Sequence, residues 1–490
     1  MLLHAAFPRP AAADHPSFRR PHPRLPLPDR CWTLALGILV AVAYSLVGLR
    51  IHHRLGTGMD LAIFDQGVRT LAAGHLPTSS MKAVGMNLWG DHFHPVILLA
   101  APAYWLRPKA GTLVVVQAIA LGLTCATLAR CALRMLPGRR FTAGVLGLSL
   151  AAAPGVQSAM TFDVHEVGLG MPLVALAAAA LVERRWGSLA GWSVAVLLIK
   201  EDAGLVVLGL AAAAFVLGAR WLALGLAAVA LVWTALVVRV VIPALSPTGR
   251  WLYGGAVHGP TESLASVVAS LDGRSGLWWA VALMLAAGGF LALRSPLVLA
   301  VLPALAVRAT SGNPFYWGMS YHYNLLPSVL LAFAVLDGLR RSRARTWWTM
   351  VLLGVALHGL ASGQARDEYT RPVDSARMDD ASRALAAVPS GAPVAADVYL
   401  TAHLTASHPI TQKLLPPRFT DDLGAPVAVD WVVLDTGSRS YGGAAGWTPA
   451  ALDHFRASGF VVDRVVGEFV VLHRVGGGPP ARIEPSHRRR

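Results

Sequence analysis

The chain has 490 residues, 55% of them hydrophobic and only 14% charged, against roughly 25% charged in an ordinary soluble domain; this excludes a soluble globular protein and makes the chain a membrane protein. Its net charge of +15 would suit nucleic acid, but the arginines are not gathered into a basic domain interleaved with aromatics, so nucleic acid is not an expected partner. The cysteines, Cys31, Cys125 and Cys131, provide neither a disulfide framework nor a ligand spacing.

In chain order, residues 1–30 are rich in Pro, Arg and His and carry no cleavable signal, so they are expected to be a disordered cytoplasmic tail. Apolar runs of about 20 residues, the length that crosses a bilayer, recur between Cys31 and Ser362, and residues 31–363 are expected to form the transmembrane domain. Arg9, Arg19, Arg20, Arg24 and Arg30 hold the amino terminus inside, so the first span, 31–49, runs outward into an external loop at 50–110. Within that loop "HPVILLAAPAYWL" (94–106) is apolar but short and contains Pro95 and Pro102, which fits an interfacial or re-entrant helix. Spans then follow at 111–133, 141–159, 170–183, 187–199, 203–218, 221–242, 277–293, 296–309, 323–339 and 346–362, eleven in all. That count places the basic clusters around Arg134, Arg139, Arg184, Arg220, Arg294 and Arg340 in the cytoplasm. Residues 364–475 change character. A helix at 375–388, apolar runs at 392–398 and 429–436, a helix at 449–458 and a hairpin-like 459–474 predict a small extracytoplasmic α/β domain, in which Asp397 and Asp435 sit at strand ends. A basic tail at 476–490 is expected to be disordered. The chain therefore reads as an α-helical polytopic protein of the plasma (inner) membrane.

The same topology gathers the polar stretches at one membrane face. "MDLAIFDQGVRTL" (59–71) and "WGDHFHP" (89–95) fall in the first external loop, "TFDVHE" (161–166) in the second, "IKED" (199–202) at the outer end of the fifth span, and "MSYHYN" (319–324) before the tenth. A charged group at a helix centre costs about 2.5–3.5 kcal/mol on insertion scales, so such groups gather where function holds them. Structural readings stand beside this one. Asp65 suits a cap, Asp163 and Glu166 a capping box, and Lys200 a snorkelling cation paired with Glu201 or Asp202. His92 and His94 suit headgroup level, and the aromatic strings suit interface belts.

Five motifs in order, "FDQG", "GDHFHPVILLAAPAYWL", "FDVHE", "IKEDAG" and "SYHYNLLP", resemble the bacterial membrane-protein family of domain of unknown function 2079, from about residue 45 through the carboxy-terminal domain. More distantly the layout is similar to the GT-C glycosyltransferases, such as the protein O-mannosyltransferases and aminoarabinose transferases. Those carry an early acidic residue in the first external loop and a later "HPP" stretch. Asp65 matches the former; His94 and Pro95 match the start of the latter, with Val96 in place of its second proline.

The GT-C resemblance implies transfer of a hexosyl or pentosyl unit from a polyprenyl-phosphate carrier to an envelope glycan, lipid or protein acceptor. In that reading Asp65 is the expected general base, and Lys200, Arg69 or a divalent cation (Mg, Mn or Zn) neutralises the leaving phosphate. Asp163, His165 and Glu166, with Asp91 and His92, form a second acidic wall that orients acceptor or, through Asp163 and His165, holds a metal. His94, Glu201, Tyr321 and His322 complete the expected binding set. No Gly-rich nucleotide-binding turn is present, in keeping with a lipid-linked donor. Two other readings remain open: a transporter, for which Lys200, Glu201 and Asp202 would relay protons, and a non-catalytic envelope scaffold that presents the carboxy-terminal domain.

Overall fold

In the computed structural model of the chain, the described residues are 25–253, 275–311, 313–415, 419–438, 449–475 and 481–482. Most of both expected tails, and part of "WLYGG", lie outside them. The first helix, α1 (Leu27–His53), packs along α4 (Ala110–Met135). Their backbones touch at a glycine pair: a Cβ on Gly122 would stand 2.3 Å from the Gly37 carbonyl oxygen, so only glycine permits this approach. Between them lie α2 (Met59–Ala72) and a bent segment in which a 3-10 turn, Pro95–Ala100, leads into α3 (Ala101–Leu106). At 1.5 Å per residue this segment is about 18 Å long, well short of a bilayer, which is the shape "HPVILLAAPAYWL" predicted.

There follow α5 (Arg140–Ala151), α6 (Pro154–Phe162), α7 (Glu166–Val182), α8 (Trp186–Val196), α9 (Gly204–Val216) and α10 (Arg220–Leu236). A π-turn, Val237–Val241, carries α10 into α11 (Ile242–Leu245), and α12 is Ser275–Ala287. A second 3-10 turn, Pro296–Val301, enters α13 (Leu302–Thr310), before α14 (Leu325–Arg341) and α15 (Arg345–Ser362). Helix or 3-10 helix falls within each of the eleven expected spans. Among the described residues only α1, α4 and Arg220–Leu245 are both long and apolar enough to cross, or four segments if α5 and α6, bent by 50°, count as one. Several of the others are interrupted or sharply turned. Pro154 opens α6, Pro172 sits inside α7, and the chain turns at Phe290 in a left-handed conformation.

Ion pairs hold one end of the bundle together: Arg134 and Arg185 on Glu183, Arg140 on Asp29, and Arg340 with Arg341 on Asp337. The clustered arginines read from the sequence thus close helix ends, in three cases on buried or half-buried carboxylates. The polar motifs stand at the opposite end, where α1, α6, α8 and α13 finish and α7, α9 and α14 begin.

Beyond α15 come α16 (Gln364–Thr370), α17 (Ser375–Ala386), β1 (Val394–Asp397), α18 (Thr401–Leu404), β2 (Thr411–Leu414), β3 (Ala428–Val429), β4 (Trp431–Asp435), α19 (Pro449–Ala457), β5 (Phe460–Val466), β6 (Phe469–Arg474) and β7 (Ala481–Arg482). The main sheet has the order β2-β1-β4-β6-β5, with β2, β1 and β4 parallel and β6 antiparallel to both of its neighbours. Parallel strands buried on both faces read as continuous apolar runs, as "VVLD" does. Strand β2, "TQKL", is the exception: its buried Gln412 accepts from the Ala428 amide within the sheet domain, and its buried Lys413 reaches the membrane half of the molecule.

That contact fixes the sheet over the polar end of the bundle. Ser80 Oγ donates to the Thr411 carbonyl (2.9 Å) and accepts from its amide (3.0 Å). Lys413 donates to the Met81 carbonyl, and the Asp422 amide donates to the Lys82 carbonyl. Arg54, at the end of α1, pairs with Glu368, and the His52 and His403 rings stack 4.2 Å apart.

Candidate functional site at the polar end of the bundle

A cavity of about 1310 Å³ opens at this end. Its polar floor comes from Asp60 on α2, Lys82, Asp91, His92 and His94 in the first loop, His165 and Glu166 at the start of α7, and Lys200, Glu201 and Asp202 between α8 and α9. Tyr321, His322 and Tyr323 close one side, and Tyr399 and Leu415 of the carboxy-terminal sheet overhang it. A lateral wall is apolar: Leu231, Ala235 and Val238 from the α10 region face Val301, Ala304 and Val307 around α13. Leu231 is more than half exposed, and Val232 beside it, outside the lining, is more exposed still, so this wall borders exposed apolar surface.

The floor is a chain of paired charges. Lys82 reaches Asp91 and Asp422, each at 3.1 Å, and the Tyr253 hydroxyl at 3.1 Å. His92 Nδ1 lies 2.6 Å from Glu201, whose other oxygen accepts from the Phe93 amide. Lys200 Nζ lies 2.9 Å from Glu166 Oε1, not against Glu201 or Asp202. His165 Nε2 stands 3.2 Å from Asp60 Oδ2, its Nδ1 3.6 Å from Glu166 Oε2, and its ring stacks on His322 at 3.6 Å. Burial alone would discharge these groups. For Asp60 burial is outweighed by the adjacent imidazole, and its carboxyl is held below the usual range; for His165 it is outweighed by Asp60 and Glu166, which push the ring up to about 9. Asp202 is pushed up to about 6, chiefly by burial. Burial, and then His165, hold His322 well below an ordinary imidazole.

Two expected site residues stand elsewhere. Asp65 does not line the cavity: Arg69, one turn on, donates to both of its oxygens at 2.8 and 3.1 Å, and the Tyr104 hydroxyl of α3 donates at 2.6 Å. Asp163 is likewise turned away, and it caps a helix that is not its own. Its Oδ2 accepts the Gly58 and Asp60 amides at the start of α2, while His165 is the N-cap residue of α7, so no capping box forms. Burial and the nearby Asp60 charge raise the Asp163 carboxyl to about 8. Gln117 of α4 clamps the stretch, donating to the Asp163 carbonyl and accepting from the His165 amide. "FDQG" is a joint: Gln66 binds Ser79, Ser80 and the Pro409 carbonyl, and a Cβ on Gly67 would strike Leu88.

The remaining expected residues, Asp91, His92, His94, His165, Glu166, Lys200, Glu201, Tyr321 and His322, all line the cavity. Tyr321 does so with φ at 68°, a conformation that costs a tyrosine of order 1 kcal/mol and is held by its surroundings. The sequence reading missed Asp60, Lys82 and Arg308. Arg308, at the end of α13, is buried and bonds to the Tyr316 carbonyl and Asn324 Oδ1, with no carboxylate in ion-pair reach among the described residues. A lone arginine in an apolar segment was the available signal. For a metal, the only close donor group among the described residues is His165, Glu166 and His322, with one ligand atom from each within 4.8 Å of the others; Asp163 is not among them.

The sequence profile of a family of predicted membrane proteins, DUF2079, matches residues 51–458. No curated protein matches the chain. Among solved structures, that of ArnT from Cupriavidus metallidurans bound to undecaprenyl phosphate is similar, at a TM-score of 0.54 and 16% identity over 90% of this chain and 98% of that one. The apo form of the same protein gives 0.52 and 17% over 91% and 98%. At such identity the likeness is one of fold, and it extends along almost the whole of both chains.

Proposed function

The chain belongs to the DUF2079 family of predicted membrane proteins, and from that footing we propose that it is a membrane glycosyltransferase which moves a sugar from a polyprenyl-phosphate carrier to an envelope acceptor on the extracytoplasmic face. The observation that carries the reading is the two-sided cavity, a charged floor beside an apolar wall, in a fold shared with ArnT, whose structure holds undecaprenyl phosphate. A prenyl chain lies along Leu231, Ala235, Val301 and Ala304, so its phosphate arrives at membrane level beside Lys200 and Arg308. The tyrosines at 316, 321 and 323 offer faces and hydroxyls for the sugar.

Asp60 is the general base of this reading, in place of Asp65. The acceptor oxygen attacks the anomeric carbon, its proton passes to the Asp60 carboxylate, and the bond from that carbon to the phosphate oxygen breaks. The electron pair leaves with polyprenyl phosphate, whose developing charge Lys200 and Arg308 meet. His165 fixes the Asp60 side chain and keeps it ionised. The amino terminus and the ends of α5, α7 and α14 then face the cytoplasm, in accord with their arginines.

The test is transfer of labelled sugar from a polyprenyl-phosphate donor by the full chain in proteoliposomes. Donor-dependent labelling of an envelope extract, reduced about a hundredfold or more by Asp60→Asn, is expected. Solute flux without sugar transfer would sink the reading in favour of a transporter.

A further inference from the structure

We infer that His165, Glu166 and His322 form a binding site for one divalent transition cation of the zinc type. The inference rests on the cavity proposed above as the functional site, and it names an ion that this site takes. Two imidazoles and one carboxylate are a donor set that suits zinc, and three protein ligands leave a coordination position open. All three side chains are buried, all line the cavity, and their ligand atoms lie within 4.8 Å of one another. Tetrahedral bonds of about 2.0–2.1 Å need donors about 3.4 Å apart, so a small rotamer closure on the ion completes the site.

Two independent features point to a ligand. His322 Nδ1 is buried without any hydrogen bond, which is costly for a ring nitrogen unless something binds there. His165 also has in reach the outer support that metal-bound histidines use: Asp60 Oδ2 stands 3.2 Å from its Nε2, an ion-pair contact that a small turn of the ring aligns into a hydrogen bond. A carboxylate there fixes the tautomer and leaves Nδ1, on the Glu166 side, to the metal. The stacking of two imidazoles at 3.6 Å is unfavourable if both are charged, and it is relieved when both nitrogens turn to one cation. Lys200 on Glu166 Oε1 leaves the second carboxylate oxygen for coordination. The open position faces the cavity, where an oxygen of the donor phosphate or of the acceptor is the available fourth ligand.

The test uses the full chain in detergent, stripped with chelator and titrated with zinc alone, by calorimetry and by metal content. One zinc per chain is expected, and cobalt in its place should give the visible bands of a four- or five-coordinate ion. His322→Asn and Glu166→Gln should each abolish stoichiometric binding. Asp60→Asn should weaken it about 10- to 100-fold, as loss of an outer partner does. His358→Gln, an exposed histidine of α15 outside the cavity, should bind as wild type, and thermal unfolding of each variant reports that it is folded. No stoichiometric zinc on the wild-type chain, or equal binding by folded His322→Asn, overturns the site. Because metal alone is read, failure of sugar transfer leaves this outcome standing, and failure of metal binding leaves the transferase test standing.

Discussion

Asp60 and Asp65 lie five residues apart on one helix, and their surroundings could hardly differ more. Five residues turn an α-helix by about 140° beyond a full turn, so the two carboxylates leave α2 on nearly opposite faces. Asp60 looks into the cavity and meets a histidine; Asp65 is sealed between Arg69 and Tyr104, with every strong partner already taken. An acid that is to accept a proton from substrate needs one side open to it. An acid whose oxygens are saturated by a guanidinium and a phenol ties two helices together.

Predictions can sharpen or break that contrast. Asp60→Asn should lower transfer about a hundredfold to ten-thousandfold with little change in thermal unfolding, while Asp65→Asn should leave turnover within a few-fold. Near-normal transfer by Asp60→Asn, or its abolition in a well-folded Asp65→Asn protein, would reverse the roles. Arg308→Gln removes the buried cation beside the proposed phosphate site and should raise the KM for the lipid donor about tenfold or more, since a charge-assisted hydrogen bond contributes about 1.5–3 kcal/mol; an unchanged KM would take Arg308 out of the site.

The stability side of the contrast is smaller. Asp65→Asn leaves the half-buried Arg69 without its anion and should cost about 1–3 kcal/mol, read as a lowered Tm in detergent. Contact between the two halves should be pH-dependent through His403, which burial holds at about 4. Between about pH 6.5, the ordinary imidazole value, and pH 4 the folded protein carries fewer protons than the unfolded chain. The His403 contribution is therefore complete above about 6.5 and lost as the pH falls toward 4, about 1–2 kcal/mol by pH 5. His403→Asn should flatten that part of the Tm profile, and a profile identical to wild type would show that His403 does not titrate it. Tyr104→Phe, which removes one hydrogen bond to Asp65, should cost least, about 1 kcal/mol.

Much of this was legible in the residues. The gathering of polar motifs at one end, the short proline-bearing segment at 94–106 and strands β1, β4, β5 and β6 of the carboxy-terminal sheet follow from pattern and length. So do nine of the cavity residues. The Asp65–Arg69 pair was legible too, since Arg69 four residues after Asp65 is the spacing of a helical ion pair. What pattern could not supply was contact across the chain: that Asp163 caps α2, that Lys200 meets Glu166, and that β2 buries Lys413 because the Met81 carbonyl receives it. Helix length along the apolar runs was not legible either, because apolarity survives the proline and glycine breaks that shorten a helix.

Tyr399 and Leu415 overhang the cavity, and both come from chain made after the last apolar helix. During biosynthesis the membrane half therefore exists first with an open roof, its Lys82 still waiting for Asp422. The cavity is complete only when the sheet has folded down on it. Order of synthesis thus sets the moment at which the site is finished: the floor is made first, and the residues that roof it are made last.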